Sequence, residues 1–433
     1  QSFGYLIGID AESHSITFFS KNIEDIFKIE DLEQLFDKKL TDFPEVFGSI
    51  INSDIFKSLP DFTRRDNETF FNKIFIEDKQ YHFSAFRSKG NIFLEFEKVI
   101  VNPDKQITNK YDNFYIVENE QEIWDQLLNI LSKIVNYDRM MVYKFMMDGS
   151  GKVVAEKTNN NLESYLGLHY PESDIPIQAR ELYLKKRKRI FSNVHAETVP
   201  LLSKKQGNID LTYSTSRAMS PIHGQYIKNS GASSSFSVSI IIDDYLWGLV
   251  TCQNSEPKHI DLEDRVQSGI FTALASNAFS SFKSKSELNY RLQLNEEVLR
   301  LKSEFLKHDT LLESLTENKQ EIRNLLEADG FAVVADDDII MDGTTPEPSV
   351  IEKIIRWAHD NIEDNIYLSR SFLKDYGKEL GLDKSTAGVV IYFMERNKNN
   401  VLIWFRKEFD EHINWAGNPE KKIEVVNDNG EEK

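Results

Sequence analysis

Cysteine is nearly absent from this chain, whose 433 residues include only Cys252. One thiol excludes an intrachain disulfide framework and a multi-cysteine metal site, and it fits a reducing compartment. Long apolar runs are also missing: none approaches the roughly 18 residues of a spanning helix, and the start at Gln1 has no basic and apolar leader. Positive charge is in deficit, with 52 basic residues against 70 acidic ones and a net charge of -18. That balance disfavours nonspecific binding of nucleic acid or of an anionic membrane. A cytoplasmic protein is the expectation. Enzyme signatures are absent too, with no Gly-x-Ser-x-Gly elbow, no P-loop and no Rossmann fingerprint in the right setting. His195, His223 and His259 lack a helical metal-ligand spacing, and a mid-strand Cys252 reads as an inert buried thiol.

Apolar material is plentiful: 40% of the chain is hydrophobic and 12% aromatic. A chain this long divides into about three domains of roughly 100 to 200 residues. From Tyr5 to about Val101 short apolar strands alternate with turns. Tyr81–Phe86 and Asn91–Phe96 flank a polar turn with a glycine and read as a hairpin, with Ile92, Leu94 and Phe96 facing one side. A polar break at 102–106 precedes a second domain that begins near Tyr115. There Ile123, Leu127, Leu128, Leu131 and Ile134 follow a helical period, and Met140–Phe145, Phe236–Ile242 and Leu246–Cys252 read as strands. After His259 the pattern is helical for about fifty residues, with Leu294, Val298, Leu301 and Phe305 forming a stripe for self-association or for core packing. A third domain follows from about Leu312, with strand pairs at 330–334 and 338–341 and at 387–392 and 400–405. The chain closes on a polar, charged stretch at 426–433.

Chemistry concentrates between Tyr165 and Ser239. Asp174 sits beside Pro176, whose fixed φ and missing amide hydrogen hold a turn without a strand ladder. An acid there is ordinarily a turn former or cap, but it also suits a ring of N–H donors. The run Lys185–Arg189 is ordinarily a solvated face, yet against a net negative chain it is a local exception. Arg189 and Arg217 are candidate clamps for a carboxylate, because the guanidinium fork binds one in two places. His223 lies three residues before Tyr226 and titrates near neutrality. Ser235 and Ser237 alternate onto one side of a strand and would solvate a carboxylate or a water.

Taken in order, these segments resemble a bacterial phytochrome over nearly the whole chain. The opening 1–5 resembles the start of the phytochrome PAS domain. The stretches 136–145, 165–176 and 220–223 are similar to its GAF domain, and 328–330 and 415–419 to its PHY domain. The resemblance implies an α+β fold of three consecutive antiparallel-sheet domains joined by a long helix. Their expected bounds are 1–104 (PAS), 115–282 (GAF) and 283–433 (PHY, incomplete at its tongue and preceded by the connecting helix). It implies a sensory module rather than an enzyme: a red/far-red photoreceptor holding biliverdin, a linear tetrapyrrole, in the GAF domain. Asp174 and His223 would lie near the pyrrole nitrogens and a water, with Ile175, Pro176 and Ser220 among the cofactor-binding residues. Arg189, Arg217, Ser235 and Ser237 match propionate positions, and Tyr137, Tyr170 and Tyr226 the aromatic surround of the ring that turns. In such proteins red light isomerises the C15=C16 bridge, and a hairpin from the PHY domain refolds and shifts the helical spine. The implied partners are a second copy through that spine and a downstream output domain or response regulator.

This chain departs from the family pattern at three places. The family's bilin-attaching cysteine precedes the match to Gln1, and the plant-type attachment position falls on Ile222, so no attachment thiol lies within these residues. Gln253 stands where the family commonly has a histidine donating to the ring D carbonyl, so its amide would have to serve. The Pro-Arg-x-Ser-Phe stretch expected beyond 419 is not in the chain. Two other readings stand beside the photoreceptor: a chromophore-free dimeric scaffold of the same shape, and a GAF domain that senses a cyclic nucleotide or another small ligand.

Overall fold

Alternating apolar residues build an antiparallel sheet from β1 (Gly4–Asp10), β2 (Ile16–Ser20), β3 (Thr69–Ile76), β4 (Lys79–Ser88) and β5 (Asn91–Lys98). This and all that follows comes from a computed structural model describing residues 1–54, 56–57, 69–101, 117–159, 162–204, 207–335, 338–394 and 400–416. The break expected at 102–106, the domain start near Tyr115, Asp336 and Asp337, the stretch 417–419 and the tail at 426–433 lie outside the described residues.

The hairpin read from sequence is β4 and β5, in register from Tyr81 opposite Lys98 to Ser88 opposite Asn91. Its two-residue turn, Lys89 and Gly90, has positive φ at both positions, a geometry that matches the twist of the strands. Ile92, Leu94 and Phe96 enter one core with Phe83 and with Phe47 and Ile50 of α1 (Pro44–Ile51). The opposite face carries Leu6, Phe18, Phe86 and Phe93, and an antiparallel sheet commonly leaves such a face to water. Here Leu201, Ile209, Leu211 and Tyr213 cover it, and Leu201–Ser203 pair with β2 as a sixth strand.

The second domain packs α2 (Glu120–Ile134) and a second six-stranded sheet around one core. Its strands are β6 (Arg139–Phe145), β7 (Gly151–Thr158), β8 (His169–Tyr170), β9 (Lys188–Phe191), β11 (Ser234–Ile242) and β12 (Tyr245–Asn254); β10 is the Leu201–Ser203 strand of the first sheet. Ile123, Leu127, Leu128 and Leu131 of α2 are buried as their period requires, and Trp124 stacks on Trp247 with ring centroids 4.7 Å apart. Two short helices, α3 (Ile177–Lys185) and α4 (Pro221–Asn229), lie in the long connections between strands.

Buried polar groups tie the first sheet to the second domain's loops and to the helix that follows it. Glu95 accepts from the hydroxyl of Ser214, from that of Ser216 at 3.0 Å and from the Thr215 amide at 3.1 Å. Glu97 pairs with Arg265 and His259, and His82 contacts both oxygens of Asp261 at 2.9 and 3.0 Å. Asp261 also accepts from the amides of Ile100 and Glu263, both at 2.9 Å, and so caps the helix that follows. That helix, α5 (Leu262–Phe305), runs 44 residues, as the fifty-residue helical pattern led one to expect.

The chain divides into two compact units: Gln1–Phe282 with the described residues from Ile413 onward, and Lys283–His412. In the second unit α6 (Leu311–Glu317) opens with a capping box between Thr310 and Glu313, and α7 (Lys319–Leu325) follows. Strands β13 (Gly330–Ala335), β14 (Asp338–Gly343), β15 (Ile366–Ser369), β16 (Gly388–Phe393) and β17 (Val401–Arg406) form a sheet in the order β14-β13-β17-β16-β15. One face packs on α8 (Pro348–Asn361) and α9 (Phe372–Leu380); the other meets Leu315, Ile322, Leu301 and Phe305. Core packing therefore accounts for the last two residues of the α5 stripe. Among the described residues no helix is long and apolar enough to cross a membrane.

Candidate functional site

Strand register builds the site. Across the second sheet Arg139, Gln253, Ser235 and Phe191 stand in one row, and Met141, Thr251, Ser237 and Arg189 in the next. Side chains alternate along a strand, so these odd-numbered residues share the face opposite the core, while Met140, Cys252, Phe236 and Ile190 fill the core. Ser235 and Ser237 thus point to the same side, as their spacing requires.

One end of this face is cationic. Arg189, 7% exposed, donates from Nη2 to the carbonyls of Arg217 and Ala218 at 2.9 and 2.8 Å, and lies 4.7 Å over the Phe191 ring. Its Nη1 is buried without a partner, as is Thr251 Oγ1 in the same row. Burial, then the charge of Arg217, pushes the Arg189 pKa down; burial also lowers that of Arg217. Among the described residues no carboxylate forms an ion pair with either. Tyr183 of α3 hydrogen-bonds Ser237 at 3.0 Å, placing another hydroxyl here. His223, in the first turn of α4, packs between Phe191 and Tyr226, and burial followed by the Arg189 charge lowers its pKa. Two arginines without an ion-paired carboxylate among the described residues give this end the chemistry to take anionic oxygens.

The Asp174 end is aromatic. Asp174 closes a short 3-10 turn, half-buried, and burial raises its carboxyl pKa. Arg180 of α3 holds that turn from behind: Nε donates to the Ile175 carbonyl at 2.7 Å, Nη2 to that of Gly149 at 2.5 Å, and the guanidinium lies 4.3 Å over Phe145. Ile175 packs with Met141, Tyr143 and Val153, beside Tyr165 and Tyr170. Tyr143, Tyr170 and Tyr226 all have raised pKa values, mainly from burial, and the Asp174 charge adds to the shift in each. Those three phenols therefore lie within electrostatic reach of the acid.

Gln253 lines a cavity of about 260 Å³ with Arg139, Asn159, Leu162, Ser230 and Asn254. Trp415 bridges to β8: the His169 amide donates to the Asn414 carbonyl at 2.8 Å and the Ala416 amide to the His169 carbonyl at 2.9 Å. Pro176 and Ser220 are exposed at the ends of their segments.

Tyr137 is not brought to this face. It is 1% exposed in the α2 core, with Lys258 5.2 Å over its ring. Asn136 before it has a φ of 44°, so the strand alternation begins only at Arg139 and the phenol turns inward. Tyr143 stands in the aromatic wall instead. The sequence reading passed over Arg139, Met141, Tyr143 and Thr251, although their strands were identified; parity from Ser235 and Ser237 through the neighbouring strands would have found them. Tyr165, Arg180 and Tyr183 lay on loops and on α3 and carried no such signal. No cluster of three or more metal-ligating side chains occurs among the described residues.

Comparison with known proteins agrees with this architecture. A PAS fold model matches residues 1–99, a GAF domain model 119–279 and a phytochrome region model 294–432. Cyanobacterial phytochrome B of Nostoc is 30% identical over 357 residues, covering 79% of this chain and 47% of its own length. A bacteriophytochrome of Pseudomonas aeruginosa is 31% identical over 302 residues, covering 68% and 41%. The chain thus spans about half the length of the curated relatives it matches. The crystal structure of a bacteriophytochrome from R. palustris shares the fold, with a TM-score of 0.83 at 23% identity over 100% of this chain and 88% of that one. With three models in this order and relatives at about 30% identity, the chain belongs to the phytochrome family and carries its PAS, GAF and PHY domains.

Proposed function

We propose that the second domain binds biliverdin and that the chain is the sensory part of a red/far-red light receptor. The observation that carries this reading is that Arg189, buried and bonded to the Arg217 carbonyl, shares its strand row with Met141, which packs with Tyr143, Tyr170 and the Asp174 neighbour Ile175. A linear tetrapyrrole has carboxylates at its middle and pyrrole N–H groups and flat rings elsewhere, and the residues match that distribution. The buried, unpartnered Nη1 of Arg189 and Oγ1 of Thr251 fit such a guest, since buried polar atoms normally find partners. Arg189, Arg217, Ser237 and Tyr183 would hold the carboxylates; Asp174 and His223 would face the pyrrole nitrogens.

A bound bilin supplies visible absorption and a double bond at its C15=C16 bridge that light can isomerise. The chain's part is to orient and desolvate it. Asp174, held by Arg180 through the neighbouring carbonyl, would offer an acceptor with no ion-paired partner among the described residues; Tyr143, Tyr170 and Tyr226 would restrict the turning ring. Trp415 beside β8 gives the output side a lever on the same domain. A homodimer through α5, with a downstream output domain or response regulator, completes the proposal; Leu288, Leu292 and Leu299, exposed on α5, support it.

Mixing the purified protein with biliverdin tests the reading. A strong absorption band in the red is expected, and its absence overturns the proposal. Zinc-induced fluorescence on a denaturing gel is expected to be negative for these 433 residues, because Cys252 is buried and burial raises its thiol pKa.

A further inference from the structure

A second arginine on the site face is committed to a different task. Arg139 is 6% exposed and forms a 2.7 Å ion pair with Glu156, which is equally closed off on the next strand. Its Nη2 donates to the Glu163 carbonyl at 2.7 Å, and its guanidinium plane lies 3.4 Å over the Tyr165 ring. Glu156 in turn accepts from the Ser164 hydroxyl at 2.6 Å and from the Tyr165 amide at 2.9 Å. One buried pair thereby fixes the main chain and the ring of a loop residue at once.

The placement of that ring gives the pair its meaning. Tyr165 packs into the cluster of Met141, Tyr143, Val153, Tyr170 and Ile175. The other side of Arg139 lines the cavity that also contains Gln253. Arg139 therefore stands between that cavity and the aromatic wall, and its planar fork is what a lysine cannot reproduce. A buried ion pair is a poor source of stability but a good way to specify one arrangement.

We infer that Arg139 and Glu156 are positioning residues that hold Tyr165 as a fixed wall of the proposed bilin pocket and so limit torsion of the bound pigment. The inference rests on the proposed function. Arg139→Lys keeps the charge and loses the plane; Tyr165→Leu loses the ring without disturbing the ion pair; Tyr165→Phe keeps the ring and serves as the conservative control.

The test loads wild type and the three variants with biliverdin and compares emission yield at equal red absorbance, since a loosely walled pigment twists and returns less light. A fall of about threefold is expected for Arg139→Lys and Tyr165→Leu, with Tyr165→Phe close to wild type. Wild-type yields in Arg139→Lys and Tyr165→Leu, in a protein that has the red band, overturn this inference alone. A wild type without the red band overturns the proposed function and this inference with it.

Discussion

Arg189 donates to the main-chain carbonyl of Arg217 at 2.9 Å, so the chain holds two cationic residues together inside the second domain with no ion-paired carboxylate among the described residues. Desolvated charge of one sign costs folding free energy unless something compensates it. The arrangement suits the carboxylates of the proposed ligand.

Arg217→Gln is therefore expected to act in opposite directions on two measurements. Biliverdin affinity, followed by absorbance titration, should fall by roughly tenfold to a hundredfold, the equivalent of one charge-assisted hydrogen bond of about 1.5–3 kcal/mol. The melting temperature of the ligand-free protein should stay level or rise. A variant that loses stability and keeps its affinity would make Arg217 a structural residue.

Asp174→Asn is expected to stabilise the ligand-free protein at neutral pH. Burial raises the Asp174 carboxyl pKa, so the charged form opposes folding above that raised value. The opposition fades as pH falls and is gone below the ordinary carboxylate pKa of about 3.9. Thermal melts from pH 7 downward should thus show the gain of the variant shrinking towards acid. A constant gain, or none, would contradict the assignment.

At the head of α5 the sign reverses. His82 and the amides of Ile100 and Glu263 hold the Asp261 carboxyl far below its usual range, despite the opposing effect of burial. The stability it contributes is complete above about pH 3.9 and is lost as pH falls below that. Asp261→Asn keeps a competent helix cap and loses the charge, at a cost of about 2 kcal/mol near neutrality. Denaturant titrations should show wild type converging on the variant below about pH 4; parallel curves would refute the linkage.

Gln253→His tests the ring D position that the resemblance assigns to Gln253. An imidazole donor to the outer ring, engaged already in the transition state of thermal return after red illumination, would speed that return by one hydrogen bond, about 1 kcal/mol or roughly fivefold. Spectroscopy of the biliverdin-loaded variant measures the rate directly. An unchanged rate would place the outer ring away from Gln253.

Much of the fold was readable in the residues. The β4–β5 hairpin, the α2 period and the strands at 139–145, 234–242 and 245–254 follow from local apolar patterning, and the Asp243-Asp244 turn takes the positive φ values such a turn needs. Within the site, Asp174, Arg189 and Arg217 were singled out for residue types suited to a charged ligand, and Tyr226 by the resemblance. Tyr137 and Tyr143 could not be told apart by type; a positive φ at Asn136 decided which phenol faced the core. The three-residue strand Leu201–Ser203 gave no signal either, because a strand so short has no period to detect.

The sequence by itself determined element types, the single thiol and the acidic balance, since these depend on neighbouring residues and on composition, and its ordered motifs carried the resemblance to the family. Tertiary structure alone decided that Glu95 is satisfied by residues 119 to 121 positions away, that Arg139 clamps Tyr165, and that rows of odd-numbered residues from four strands meet on one face. The physical reason is that backbone geometry fixes the period of a strand locally. Which strands pair, and in what register, is fixed only when distant apolar surfaces are buried together.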